Sequence, residues 1–288
     1  MASLDQFLVR AEALLGRLED FLPQQAEPFE GDESTVAWRW RRMNGRVRLQ
    51  PVSQLSGISF ADLFFIDRQK ELLERNTRQF VKARPANNVL LTGARGTGKS
   101  SLIRACLNRF SGEGLRLIEV DRHDLADLMD IGELVASRPE RFILYCDDLS
   151  FDEGDGSYRT LKAALDGSVA AQPDNMLIYA TSNRRHLMPQ RMSENLGMTR
   201  SPEGEIHPGE TTEEKISFSD RFGLWLSFYP FTQDEYLRIV AHWLESFGLG
   251  PSQIDGAQAA ALQWSLHRGS RSGRVAWQFA CDFAGRHL

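Results

Sequence analysis

Cysteine is scarce in this chain. Cys106, Cys146 and Cys281 are the three among 288 residues, and none lies near another. An odd, unclustered set excludes a disulfide framework and a zinc-ligand spacing, and it points to a reduced, cytoplasmic setting. Long apolar runs are missing too: none approaches the ~20 residues of a membrane-spanning helix, so no membrane partner is expected. The N-terminus, with Asp5 and Arg10 inside an amphipathic pattern, is not a secretory signal. There is no excess of basic charge. The formal net charge is −5 and the pI about 5.8, short of the basic pI of a dedicated nucleic-acid binder, which leaves room for a local basic surface and no more. No internal repeat or low-complexity tract is visible. With 42% hydrophobic residues, the chain can bury one large core or two modest ones.

The most informative stretch present is Gly93-Ala94-Arg95-Gly96-Thr97-Gly98-Lys99-Ser100, which matches Gly-x4-Gly-Lys-Ser/Thr in full. At ordinary residue frequencies about 0.01 chance matches are expected in a chain this long. The flanks fit the motif. Val89 to Thr92 reads as a buried strand, and Ser101 to Leu107 as the first turns of a helix. Glycines let the backbone take positive φ and leave its N–H groups open to an anion at the positive end of the following helix. Lys99 is placed to neutralise β and γ phosphates, and the Ser100 hydroxyl to hold magnesium. Residues 93 to 101, through Ser101, are the candidate nucleotide-binding set, with a nucleoside triphosphate and Mg2+ as the ligands. A bare Gly-rich turn would need neither Lys99 nor Ser100.

Before the motif, Leu4, Phe7, Leu8, Ala11, Leu14, Leu15, Leu18 and Phe21 keep helical spacing up to Pro23, either as a helix on its own domain or as an association helix. An acidic linker follows, from Pro23 to Glu33. Two alternating arms flank Asn44-Gly45 and predict a β-hairpin. They carry Arg39, Arg41, Arg42, Arg46 and Arg48 among Trp38 and Trp40. Such a hairpin either grips a nucleic-acid strand by phosphate contacts and stacking, or forms a sheet edge with arginines outward and tryptophans in the core. Asp67 to Lys82 reads as a helix. Leu115–Val120, Phe142–Cys146, Met176–Thr181 and Leu224–Tyr229 read as strands, with helical patterns between several of them, including Tyr158 to Leu165. That alternation predicts an α/β fold around a mostly parallel sheet. Thr232 to Glu235 is a capping box, with Phe231 and Tyr236 spaced for a hydrophobic staple. Helical patterns at Ala257–His267 and Gly273–Gly285 complete an all-helical C-terminal unit.

Phe142 to Asp148 is an apolar strand ending in two carboxylates some 50 residues after the loop. At the carboxyl edge of a parallel sheet, Asp147 would hold magnesium and Asp148 would polarise an attacking water; a turn or helix cap is the plainer alternative. Asn183, after the strand that ends in Thr181-Ser182, either orients that water or serves as a turn residue.

Gly93–Ser100, Ile143–Asp148, Ala180–Asn183 and Ser219-Asp220-Arg221-Phe222-Gly223 together resemble an AAA+ ATPase over residues 60 to 288. The stretch from Ser219 to Tyr229, with the helix from Gln233, is similar to bacterial Holliday-junction branch-migration motors. Taken with Cys146–Phe151 and Gly204-Glu205-Ile206-His207-Pro208, the chain resembles a bacterial family of predicted AAA+ ATPases known as a domain of unknown function. The resemblance implies a five-stranded parallel P-loop core with a helical lid, and ATP at subunit interfaces of a nucleotide-dependent homo-oligomer. It implies Asn183 as sensor 1, Arg221 as arginine finger and Arg274 as sensor 2, with Arg271 as the alternative. Asp148 stands where the family has Glu, one methylene shorter, which implies weaker water activation. No aromatic pore pattern follows the acid strand, where Glu153 to Ser157 reads as a turn, and this points away from polypeptide threading. Residues 186 to 217 read as a long acidic insert holding Met192, Met198, Glu205 and His207, the last a loop residue rather than a metal ligand.

The expected units are an N-terminal helix and hairpin extension (1–57), the α/β nucleotide-binding core (58–231) and the lid (232–288). The expected activity is Mg2+-dependent ATP hydrolysis that remodels or loads a protein or nucleic-acid partner. The alternative is a nucleotide-gated switch with little turnover.

Overall fold

The computed structural model describes residues 29, 34–43, 46–149, 161, 165, 172–183, 199–200, 206–207 and 221–287. The stretch 4–21, the Asn44-Gly45 pair, residues 153–157, Met192, Met198, Glu205, Ser219 and Asp220 lie outside them, as does most of the helical pattern at 158–165, of which Leu161 and Leu165 are helical.

In chain order the main elements are β1 (Ala37–Met43), β2 (Arg46–Pro51), α1 (Asp67–Val81), β3 (Val89–Gly93), α2 (Lys99–Phe110), β4 (Leu115–Glu119), α3 (Leu128–Ala136), β5 (Arg141–Cys146) and β6 (Met176–Ser182). Two short strands follow, β7 (Thr199–Arg200) and β8 (Ile206–His207), then β9 (Leu224–Phe228), α4 (Gln233–Ser246), α5 (Pro251–His267) and α6 (Gly273–His287). Seven strands form one sheet in the order β2-β1-β4-β5-β6-β3-β9. β7 and β8 pair separately and antiparallel, so His207 sits in a short ladder inside the insert.

The five expected strands, β4-β5-β6-β3-β9, are mutually parallel. β3, β5 and β6, in the middle of the sheet, are buried on both faces and read as nearly continuous apolar runs rather than alternating ones. One face, through Leu117, Ile143, Tyr179, Leu91 and Leu226, shares a core with α1, α2 and the C-terminal helices. The other, through Ile118, Leu144, Ile178 and Leu90, is covered by α3.

The sheet has seven strands rather than five because the hairpin joins it. β1 runs parallel to β4, with Ala37 opposite Leu117, and β2 pairs antiparallel on the outside. Trp38 and Trp40 are 3% and 1% exposed and belong to the α3-side core. The Trp40 indole N–H donates to the buried Asp127 at 2.8 Å, and Arg42 pairs with the other oxygen of that carboxylate. Arg39 pairs with Glu119 at 2.9 Å. The sheet-edge alternative is therefore the one observed, and tryptophans buried in this way cannot stack on bases.

The C-terminal helices start where their caps place them. Thr232 Oγ1 accepts from the Glu235 N–H at 3.3 Å, and Glu235 accepts from the Thr232 N–H at 2.8 Å. Pro251, set for the first helical position, starts α5 six residues ahead of the expected Ala257. Among the described residues no helix is long and apolar enough to cross a membrane.

Candidate active site

The chain leaves β3 at Gly93 and enters α2 at Lys99. Gly93 has φ 134°, and a Cβ there would lie 1.9 Å from the Phe228 carbonyl oxygen of β9, so no side chain fits. Thr97 Oγ1 donates to the Ala94 carbonyl at 2.8 Å and closes the loop. Lys99 is 6% exposed. Its ammonium donates to the carbonyls of Gly93 (2.8 Å) and Ala94 (2.7 Å) and to Asn183 Oδ1 (3.0 Å). Burial lowers its pKa to about 8, against the opposing pull of Asp147 and Asp148.

The acids arrive on the neighbouring strand ends. β6 lies between β3 and β5, so the carboxyl ends of all three meet above the loop. Asp147 Oδ1 accepts from Ser100 Oγ at 2.9 Å, Thr181 Oγ1 at 2.5 Å and the Asp148 N–H at 3.2 Å. Burial raises the Asp147 pKa, but the hydroxyls of Thr181, Tyr145 and Ser100 and the charge of Arg104 outweigh it and leave the carboxyl below its ordinary value. Asp148 has φ 51°, in the left-handed region. Its Oδ1 accepts from Asn183 Nδ2 at 2.5 Å and its Oδ2 pairs with Arg95 at 3.5 Å. The thiol of Cys146, just before the acids, is pushed up to about 12 by burial and takes no part in nucleophilic chemistry at ordinary pH.

A cavity of about 870 Å3 runs from these groups across the loop to the C-terminal helices. Phe64, Ile66, Ile239, Trp243 and Trp277 form its apolar part, and Arg274 closes it near the loop. The loop and the start of α6 touch through backbone: the Gly273 N–H donates to the Gly96 carbonyl at 2.9 Å. A Cβ on Gly96, at φ 74°, would fall 2.7 Å from Ser272 Oγ. A smaller cavity of about 280 Å3 shares Asp147 and Asp148 and reaches Arg39, Arg41, Arg122 and His123.

The expected set Gly93–Ser101 thus meets Asp147, Asp148 and Asn183 in one place. Arg274, rather than Arg271, lines the cavity. Arg221 lies elsewhere. It precedes β9, whose register places Leu224 beside Val89 and Phe228 beside Gly93, so it sits at the opposite edge of the sheet from the loop. Four strand steps of about 3.3 Å already separate Leu224 from the loop level by ~13 Å. Thr181, Tyr145 and Arg104 also act on Asp147, and of these only Thr181 lies in a strand-end motif visible in the sequence. The apolar wall carried no spacing signal, because it is assembled from three distant segments.

The donor chemistry suits the expected ligands. Ser100 and Asp147 offer hard oxygens to a cation such as Mg2+. The Gly93 cradle, which a Cβ would fill, and the helix start at Lys99 suit phosphates. The apolar wall suits a base.

The family described as "Protein of unknown function (DUF815)" matches residues 33–287. No curated protein matches the chain. Two point mutants of RuvB from Thermotoga maritima are similar in structure at a TM-score of 0.50. One has 15% identity and covers 77% of this chain and 63% of that one; the other has 17% identity and covers 78% and 64%. Another structure of that protein, described as a Holliday junction branch migration motor, matches at TM-score 0.48 and 18% identity, covering 77% and 63%. The chain therefore spans less than two thirds of the RuvB length. What is shared is the fold, a largely parallel α/β sheet followed by C-terminal helices.

Proposed function

The chain belongs to the DUF815 family, and from that premise we propose that it is an AAA+ ATPase that hydrolyses ATP with Mg2+ to remodel or load a protein or nucleic-acid partner. The observation that carries the reading is the convergence of Lys99, Ser100, Asp147, Asp148 and Asn183 within hydrogen-bonding distance at three strand ends. In this reading the 93–98 amides and Lys99 bind the phosphates, while Ser100 Oγ and Asp147 hold the metal. Mg2+, when bound there, supplies charge neutralisation at the β and γ phosphates. Asp148 accepts the proton of the attacking water, and Asn183 fixes its direction. Arg274 reports phosphate occupancy to the lid. Arg221 serves the site of a second copy, which makes the working form a nucleotide-dependent homo-oligomer.

The proposed units are the extension (1–57), whose hairpin widens the sheet, the core (58–231) and the lid (232–288). That RuvB is a Holliday junction branch migration motor keeps nucleic acid among the candidate partners. The buried tryptophans confine any such contact at the hairpin to phosphates.

The test is calorimetry of ATP–magnesium binding and steady-state phosphate release for the wild type, Lys99→Ala and Asp147→Ala. Wild-type binding and turnover, with turnover lost in both variants, is the expected result. An unchanged rate in either variant rejects the site assignment.

A second reading is a nucleotide-gated switch with negligible turnover. The short Asp148 side chain favours it, since both its oxygens are already engaged by Asn183 and Arg95. Steady multiple turnover at saturating ATP excludes it.

A further inference from the structure

Among the described residues three buried side-chain polar atoms have no hydrogen-bond partner: the Tyr145 hydroxyl, His242 Nε2 and Trp264 Nε1. The first lies among the acids. Tyr145 is 3% exposed, near the end of β5 and two residues before Asp147. Its hydroxyl lies beside Ser100 and Asp147, close enough to help pull the Asp147 carboxyl down, yet it reaches a well-formed hydrogen bond with neither.

A buried phenol without a partner is unfavourable, and native structures that keep one have a reason that involves an ion, a water or chemistry. Packing does not supply that reason, because phenylalanine would fill the same space. The crowding at Asp147 does. Its Oδ1 already accepts three donors, from Ser100, Thr181 and the Asp148 backbone. To hold a cation, Ser100 and Asp147 must each turn a lone pair toward it, which redistributes those donors. The Tyr145 hydroxyl is a donor already placed against both residues, with a well-formed hydrogen bond to neither. We propose that Tyr145 is a positioning residue for the metal, donating to the Ser100–Asp147 pair when that pair holds a divalent cation. The inference rests on the reading of Ser100 and Asp147 as the metal-holding pair.

Tyr145→Phe removes the oxygen alone, and the two effects expected of it have opposite signs. Its melting temperature in EDTA should equal or exceed that of the wild type, because an unsatisfied group is gone. Affinity for a slowly hydrolysed ATP analogue in EDTA should be unchanged. The gain in that affinity on adding saturating Mg2+ should shrink about tenfold, the size typical of losing a partner behind a metal ligand. A gain within about twofold of wild type overturns the proposal, since the metal site is then indifferent to the hydroxyl. So does a fall in EDTA stability or EDTA affinity that accounts for the loss, which would mark Tyr145 as structural. A wild-type protein with no Mg2+ gain at all removes both this inference and the metal-site reading, whereas a normal wild-type gain preserved in Tyr145→Phe removes this inference alone.

Discussion

Asn183 donates to Asp148 Oδ1 at 2.5 Å while the other end of the same amide accepts the Lys99 ammonium at 3.0 Å. One side chain thus links the Lys99 ammonium to the Asp148 carboxylate. Asn183→Ala should leave nucleotide affinity nearly unchanged, because Lys99 keeps two loop carbonyls. Hydrolysis should fall roughly 10²–10⁴-fold, the range of a misplaced acid–base group. Phosphate release beside a nucleotide titration measures both. A wild-type rate would reduce Asn183 to a turn residue.

Arg221 lies at the far edge of the sheet from its own loop. If it acts on a neighbouring copy, Arg221→Ala should bind nucleotide normally yet lose about 10³-fold or more in turnover. Mixing Arg221→Ala with Lys99→Ala should restore part of the rate, because a mixed assembly places an intact loop beside an intact arginine. Size measurement with and without the analogue checks the assembly directly. A mixture as inactive as its components counts against action between copies.

The lowered pKa of Lys99 sets a pH window. Phosphates favour the charged amine, so above pH about 8 binding takes up a proton and affinity falls, by at most about tenfold per unit, toward the unperturbed value of 10.5. Below about 8 this group contributes no slope. The sign for folding is opposite. The folded pKa lies under the unfolded one, the unfolded chain binds more protons between the two values, and stability without nucleotide rises with pH across that window. Calorimetry at pH 9 in buffers of different ionisation heat counts the proton. Lys99→Arg, which cannot titrate there, should abolish the uptake.

Two substitutions test the fold beneath the site. Gly93→Ala places a Cβ against the Phe228 carbonyl at a positive φ. It should cost roughly 3 kcal/mol or more through strain and a separated β3–β9 pair. Trp40→Phe removes the indole donor to Asp127 and leaves that buried carboxylate with the exposed Arg42. It should cost about 1–3 kcal/mol. Urea titration measures both, and a Gly93→Ala variant of wild-type stability contradicts the observed contact.

The parallel strands and the phosphate loop were legible because their signals are local. Val89 to Ser100 states strand, turn and helix in twelve consecutive residues, and Phe142 to Asp148 states a buried strand ending in acids. Thr232 and Glu235 announced the start of α4 by their capping pattern. What was not legible depends on register between distant segments. Alternation predicted the hairpin, but nothing in residues 36–49 says that Ala37 lies beside Leu117. The burial of Trp38 and Trp40 follows from that pairing. Tyr145 read as one more apolar strand residue, since its hydroxyl acquires meaning only once α2 places Ser100 above it. The start of α5 is set by Pro251 in the first turn, ahead of the apolar periodicity, which begins only at Ala257.

The Gly96 carbonyl that meets the Gly273 N–H shares its peptide plane with the Thr97 N–H. Such a plane is rigid about its C–N bond. It cannot tilt toward an anion in the cradle without swinging its oxygen relative to the first turn of α6. Leverage therefore runs both ways through a single amide: tension on the C-terminal helices reshapes the cradle, and a guest in the cradle tugs on those helices.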